Sequence, residues 1–202
     1  MTALVGSLGI LVALGGSGVL AVLGLRSARS GAIPPRRLRR TALITVGGAA
    51  AAMLVLELAI VSHDFSIAYV ANNSATTTPF VFLLASGWAA LEGSILLWGL
   101  VLTGFTAIVA ARVEPGDGLG TGALGVLGLV GVFWFGVMTT VANPFEVCTG
   151  VAGAVCSTTS PIPFAGVVAP LEGLGPNPLL QNHILMAVHP PMLYLGYVGM
   201  TV

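Results

Sequence analysis

Residues 3 to 25 carry no charged side chain, residues 41 to 62 carry only Glu57, residues 80 to 111 only Glu92, and residues 121 to 142 none. About 20 residues of helix cross the roughly 30 Å of a bilayer's hydrocarbon, and in that medium a helix satisfies its own backbone polar groups. Runs of this length, recurring along one chain, leave little choice of solvent. Only 7% of residues are charged and 56% are hydrophobic, whereas a soluble domain carries roughly 25% charged residues. The chain therefore reads as an all-α, polytopic integral membrane helix bundle with four complete transmembrane helices and the start of a fifth, residues 1 to 202 forming a single membrane domain.

The connecting segments set the expected orientation. Residues 26 to 40 read as a polar loop broken by Pro34-Pro35, residues 62 to 79 as a second loop, 112 to 120 as a short Gly-rich turn, and 144 to 191 as a long loop rich in Pro, Gly, Ser and Thr. The 80 to 111 run exceeds the length needed to cross, so it should tilt or begin among the headgroups. All 7 basic residues are arginine, at positions 26, 29, 36, 37, 39, 40 and 112, in the first and third connections. Arginine-bearing loops stay in the cytoplasm. The N-terminus and the 62 to 79 and 144 to 191 loops are then expected on the outer side, in the inner (plasma) membrane. The fifth apolar run, from Met192, reaches Val202 after a length too short to cross, which reads as a truncation or a split gene. Net charge is zero, so nothing points to nucleic acid.

Cys148 and Cys156 both fall in the expected outer loop, eight positions apart, where disulfides persist. A structural disulfide is the expectation, because neither a Cys-x-x-Cys nor a Cys-x-x-Cys-His pattern is present. Among the histidines, His63 and His183 read as interfacial or capping residues. His189 precedes Pro190 and Pro191, and a residue before proline is biased towards extended backbone. That predicts His189 pinned outside the mouth of a helix beginning near Met192, where the positive helix end disfavours imidazolium and favours the neutral ring that binds iron. Tyr194 and Tyr197 share a helical face and read first as an aromatic belt. Glu57 and Glu92 are carboxylates within apolar runs, a placement that is costly and often functional.

The phrases DFSIAYVANNS (64 to 74), LEGSILLWG (91 to 99), ANPF (142 to 145) and GPNPLLQNHILMAVHPPMLYLGYVG (175 to 199) together resemble the N-terminal part of the cytochrome c-type biogenesis haem lyase family, CcmF. The resemblance implies that His189 is an axial ligand to the iron of haem b; Tyr194 and Tyr197, three apart on one helical face close by, are the other candidate cofactor-binding residues. It implies a second ligand, a tryptophan-rich segment and further helices beyond these 202 residues, of which this chain would be roughly the first third. Implied partners are a haem chaperone, apocytochrome c, thiol-reducing maturation proteins, the remainder of the haem lyase, and lipid. The chain departs from the family in having Leu91 where a histidine is common, and in an expanded, cysteine-bearing segment between ANPF and LLQN. Propionate partners must lie elsewhere, since the expected outer face has no cationic residue. Two other functions compete: a proton-coupled transporter built around Glu57 and Glu92, which would want basic partners at the midplane, and a plain membrane scaffold, which leaves the His-Pro-Pro phrase unexplained.

Overall fold

The computed structural model describes residues 1–31, 33–153, 155–178 and 183–202. In chain order its elements are α1 (Thr2–Ser30), α2 (Pro35–Val61), α3 (Ala68–Asn73), α4 (Phe80–Ala85), α5 (Leu91–Arg112), α6 (Gly118–Met138), β1 (Val147–Ala152), β2 (Val155–Ser160) and α7 (Ile184–Gly199). Among the described residues α1, α2, α5 and α6 are long and apolar enough to cross a membrane. The expected helix bundle is present, and its outward faces carry exposed Leu11, Leu43, Leu54 and Val126, as a lipid-facing surface should.

Apolar burial gives little drive to helix association in lipid, so close approach of small residues does most of the joining. α1 sits between α6 and α2 on this principle. A Cβ on Gly24 would collide with the backbone of Gly125, one on Gly128 with that of Ala21, and one on Gly48 with Gly9 and Ala13. α5 closes the bundle against α2 and α6, and α7 lies along α5.

At one end of the bundle the Arg39 guanidinium donates to the Ala110 carbonyl at 3.1 Å, so both arginine-bearing connections lie together. The other end is a folded cap. β1 and β2 form an antiparallel hairpin, and Ile67 bridges to Val147. Cys148 N–H donates to Ser66 O and Ala68 N–H to Glu146 O, each at 2.9 Å. Cys148 and Cys156 are joined in a disulfide with Cα atoms 5.6 Å apart. Phe145, fully buried, fills the space over Gly6.

Several boundaries differ from the sequence expectation. The arginine stretch is mostly helix: Arg26 and Arg29 belong to α1, while Pro35 opens α2 and the following arginines occupy its first turns. Proline suits a helix's first position, and long basic side chains can extend beyond the apolar layer. The 80 to 111 run is two helices separated by a 3-10 turn, Ser86–Trp88, and an extended Ala90 at φ −126°. Gly87 makes the break possible by letting the Glu57 carboxylate lie against its backbone.

The largest correction concerns α7. It begins at Ile184 and runs through both prolines, so His189 lies within the helix and not at its mouth, and the His-Pro-Pro phrase is helical and not part of the 144 to 191 loop. The bias before proline is a preference and can be overridden. The N-cap is His183, whose Nδ1 accepts the Leu185 N–H at 3.2 Å. Since the macrodipole's influence fades within the first turn, the helix-end argument for the state of the His189 ring does not carry over. The LLQN residues 179 to 182 lie outside the described residues.

Candidate functional site

Proline has no N–H, so Pro190 leaves the carbonyl four residues earlier without its helical donor. That carbonyl belongs to Met186, a buried residue. Trp88, at the end of the 3-10 turn, supplies the missing bond: its indole Nε1–H donates to Met186 O at 3.3 Å. The turn itself is held from below. The buried Tyr69 hydroxyl donates to Ser86 O at 2.8 Å, and burial raises the hydroxyl's pKa well above its ordinary value, so it remains a donor.

Between this turn and α7 lies a cavity of about 740 Å³, with Trp88, Leu91, Leu185, Met186, Pro190 and Tyr194 on its walls. Both His183 and His189 open onto it. The Ser94 hydroxyl, also on the wall, donates to Leu91 O at 2.9 Å. The cavity thus offers apolar and aromatic surface with imidazoles as its metal-binding groups, and no arginine lines it. Its size falls within the roughly 300–1,000 Å³ of small-molecule and cofactor sites, and imidazole is a side chain that haem iron takes as an axial ligand.

The other sequence-predicted residues divide. Tyr194 shares the cavity with His189 and also stands edge-on to Trp98, ring centroids 6.0 Å apart. Tyr197 is exposed and stacks on Trp98 at 6.2 Å, away from the cavity walls. Glu57 lies near the last turn of α2, and Glu92 in the first turn of α5. Neither lines the cavity and neither is at the middle of its helix. Both Glu57 oxygens are buried with no hydrogen-bond partner among the described residues. Trp88 and His183 escaped the sequence reading as site residues. That Pro190 leaves the Met186 carbonyl without a donor is readable from the chain, but the indole 98 positions from Met186 that supplies one is not.

These features define a class: a multi-pass membrane helix bundle with a folded cap at one end and a histidine-bearing, largely apolar cavity at that same end. No protein-family model matches the chain. It is 40% identical over 156 residues to the cytochrome c-type biogenesis protein CcmF of Escherichia coli (strain K12), covering 76% of this chain and 21% of that protein. It is 39% identical over 149 residues to CcmF of Pseudomonas fluorescens, covering 73% and 20% respectively. With the cytochrome c-type biogenesis protein CycK of Rhizobium meliloti it shares 37% identity over 188 residues, covering 92% and 24%. The solved structure of a cytochrome c haem lyase CcmF superposes on all of the chain and 29% of itself, with a TM-score of 0.75 at 36% identity. The chain belongs to the CcmF family. It spans about a fifth to a quarter of the length of these relatives.

Proposed function

We propose that this chain is the part of a cytochrome c maturation apparatus that holds haem at an outward-facing membrane cavity, with His189 as one axial ligand to the iron. The observation that supports this most is the placement of His189 on a cavity of about 740 Å³ whose other walls are mostly apolar and aromatic. Trp88, Leu185 and the buried Met186 present apolar contact surface on one side of the cavity, and the proline backbone at 190 limits where the imidazole can reach. Tyr194 offers a hydroxyl on the same wall. The haem carries vinyl groups to which the thiols of apocytochrome c add, so the chain's own contribution is binding and orientation.

In this reading haem b arrives from a haem chaperone. The second ligand, the propionate partners and the tryptophan-rich segment come from the remainder of the haem lyase, and thiol-reducing proteins keep the apocytochrome cysteines free. The arginine distribution supports placing the cap and cavity on the periplasmic side of the inner membrane, with the N-terminus also outside. The transporter reading loses ground because Glu57 and Glu92 stand at the cavity end of their helices, whereas its sites belong at the midplane.

The test is cytochrome c assembly in cells whose copy of the gene carries His189→Ala. Covalent haem staining of c-type cytochromes should fall at least about tenfold, the low end of what losing even an indirect metal contact costs, while the variant accumulates in the membrane at the wild-type level. Unchanged staining rejects the ligand assignment.

A further inference from the structure

His189 immediately precedes the residue that breaks α7's hydrogen-bond ladder, and the ladder is repaired from another element. A backbone carbonyl in an apolar phase needs a donor, and tryptophan's indole N–H can only donate. Trp88 Nε1–H reaches Met186 O at 3.3 Å, where the N–H of residue 190 would point in an unbroken helix. Trp88 and His189 line the same cavity. Trp88 is itself fixed, since its turn takes the Tyr69 hydroxyl at Ser86 O, 2.8 Å away, and Gly87 lies against the Glu57 carboxylate. The chain of contacts runs from α3 through the 3-10 turn to the one stretch of α7 that carries the imidazole.

We infer that Trp88 is a positioning residue for His189: its indole N–H stands in for the donor that Pro190 lacks and sets how far the imidazole extends into the cavity. This rests on the reading of His189 as a haem ligand. The indole acts through a hydrogen bond, so its effect depends on Pro190 and disappears when a backbone N–H is restored there.

The experiment is a double-substitution cycle in the protein as assembled in its membrane, titrated with haem. Trp88→Phe keeps an aromatic wall and removes the donor; it should raise the Kd for haem by about three- to tenfold, the scale of one hydrogen bond. In a Pro190→Ala background, where the restored backbone N–H can serve Met186, the same change should shift Kd by less than about twofold. Equal losses in both backgrounds would place Trp88's effect in packing and overturn the inference. A readout without haem separates this from the ligand reading: the rate at which diethyl pyrocarbonate modifies His189 should change with Trp88→Phe in the Pro190 protein and not in the Pro190→Ala protein. A rate insensitive to Trp88→Phe overturns the positioning role, whatever haem does. Conversely, if His189→Ala leaves the haem Kd unchanged, the ligand reading fails while the modification rates still judge Trp88. Should Trp88→Phe fail to accumulate, the double variant should restore accumulation, and failure to do so also overturns the inference.

Discussion

His63 has φ 54°, a left-handed backbone, and closes α2 with two bonds: Asp64 N–H to Ala59 O at 2.9 Å and His63 N–H to Ile60 O at 3.1 Å. That pair of bonds, with a left-handed residue between them, is the Schellman ending, usually built on glycine. Its ring packs tilted on Phe65 at 5.8 Å. His63→Gly should therefore hold the cap, changing stability by less than about 1 kcal/mol, whereas His63→Val should lower it by about 1–2 kcal/mol, measured by denaturant or thermal unfolding in detergent. Glu172 is a second single-residue clamp. It accepts the Thr76 N–H and hydroxyl and the Gly173 N–H, and the Thr76 hydroxyl is the chief cause that holds its carboxyl below the ordinary range. A carboxyl with a lowered folded pKa adds stability above its unfolded value, about 4.3, and loses it as pH falls through the folded value. Hydrogen exchange at residues 173 to 175 should speed up only as pH is taken below about 4, after correction for intrinsic rates; acceleration already at pH 6 would contradict the clamp. At this scale the sequence shows His189 and the tyrosines because their types are conspicuous. It hides Trp88, whose importance is a missing hydrogen on a distant proline.

The long helices were visible as uncharged runs because a helix in lipid needs length and little else. Their ends were less visible. Arginines do not stop a helix when their side chains reach the interface, which is why α1 and α2 run through residues that look like loop. The break at 89 and 90 depends on Glu57 packing against Gly87, a contact between elements that no window along the chain contains. Two predictions belong here. Gly125→Leu should force α6 from α1, because Leu25 and its backbone already occupy the space; overpacking of this kind costs about 1–3 kcal/mol, and crosslinking yield between cysteines placed on the two helices should fall. Replacing Cys148 and Cys156 by serine opens a short loop, for which the chain-entropy estimate is ~2–3 kcal/mol. Protease cutting within residues 147 to 160 should rise while the span helices stay protected, and equal protection would mean the hairpin stands without its bridge.

Across the whole molecule, the alternation of arginine-rich and arginine-free ends organises everything else. Arg39 ties the two basic connections together at one end, and the cavity, at the start of α5, lies at the other. A periplasmic reporter fused after Arg40 should be inactive and one fused after Thr76 active; the reverse pattern would put the cavity in the cytoplasm. The family resemblance was legible in four phrases, yet the pairing of His183 with His189 on one cavity was not, since it depends on α7 starting at Ile184. The central claim is that His189 supplies a ligand from this cavity, and the visible spectrum of haem in the purified, assembled protein tests it most directly. With His189→Ala the low-spin absorption bands should weaken and millimolar imidazole should restore them, because the side chain's place in the cavity is then open to a free imidazole. Bands unaltered by His189→Ala, before and after imidazole, would contradict the account.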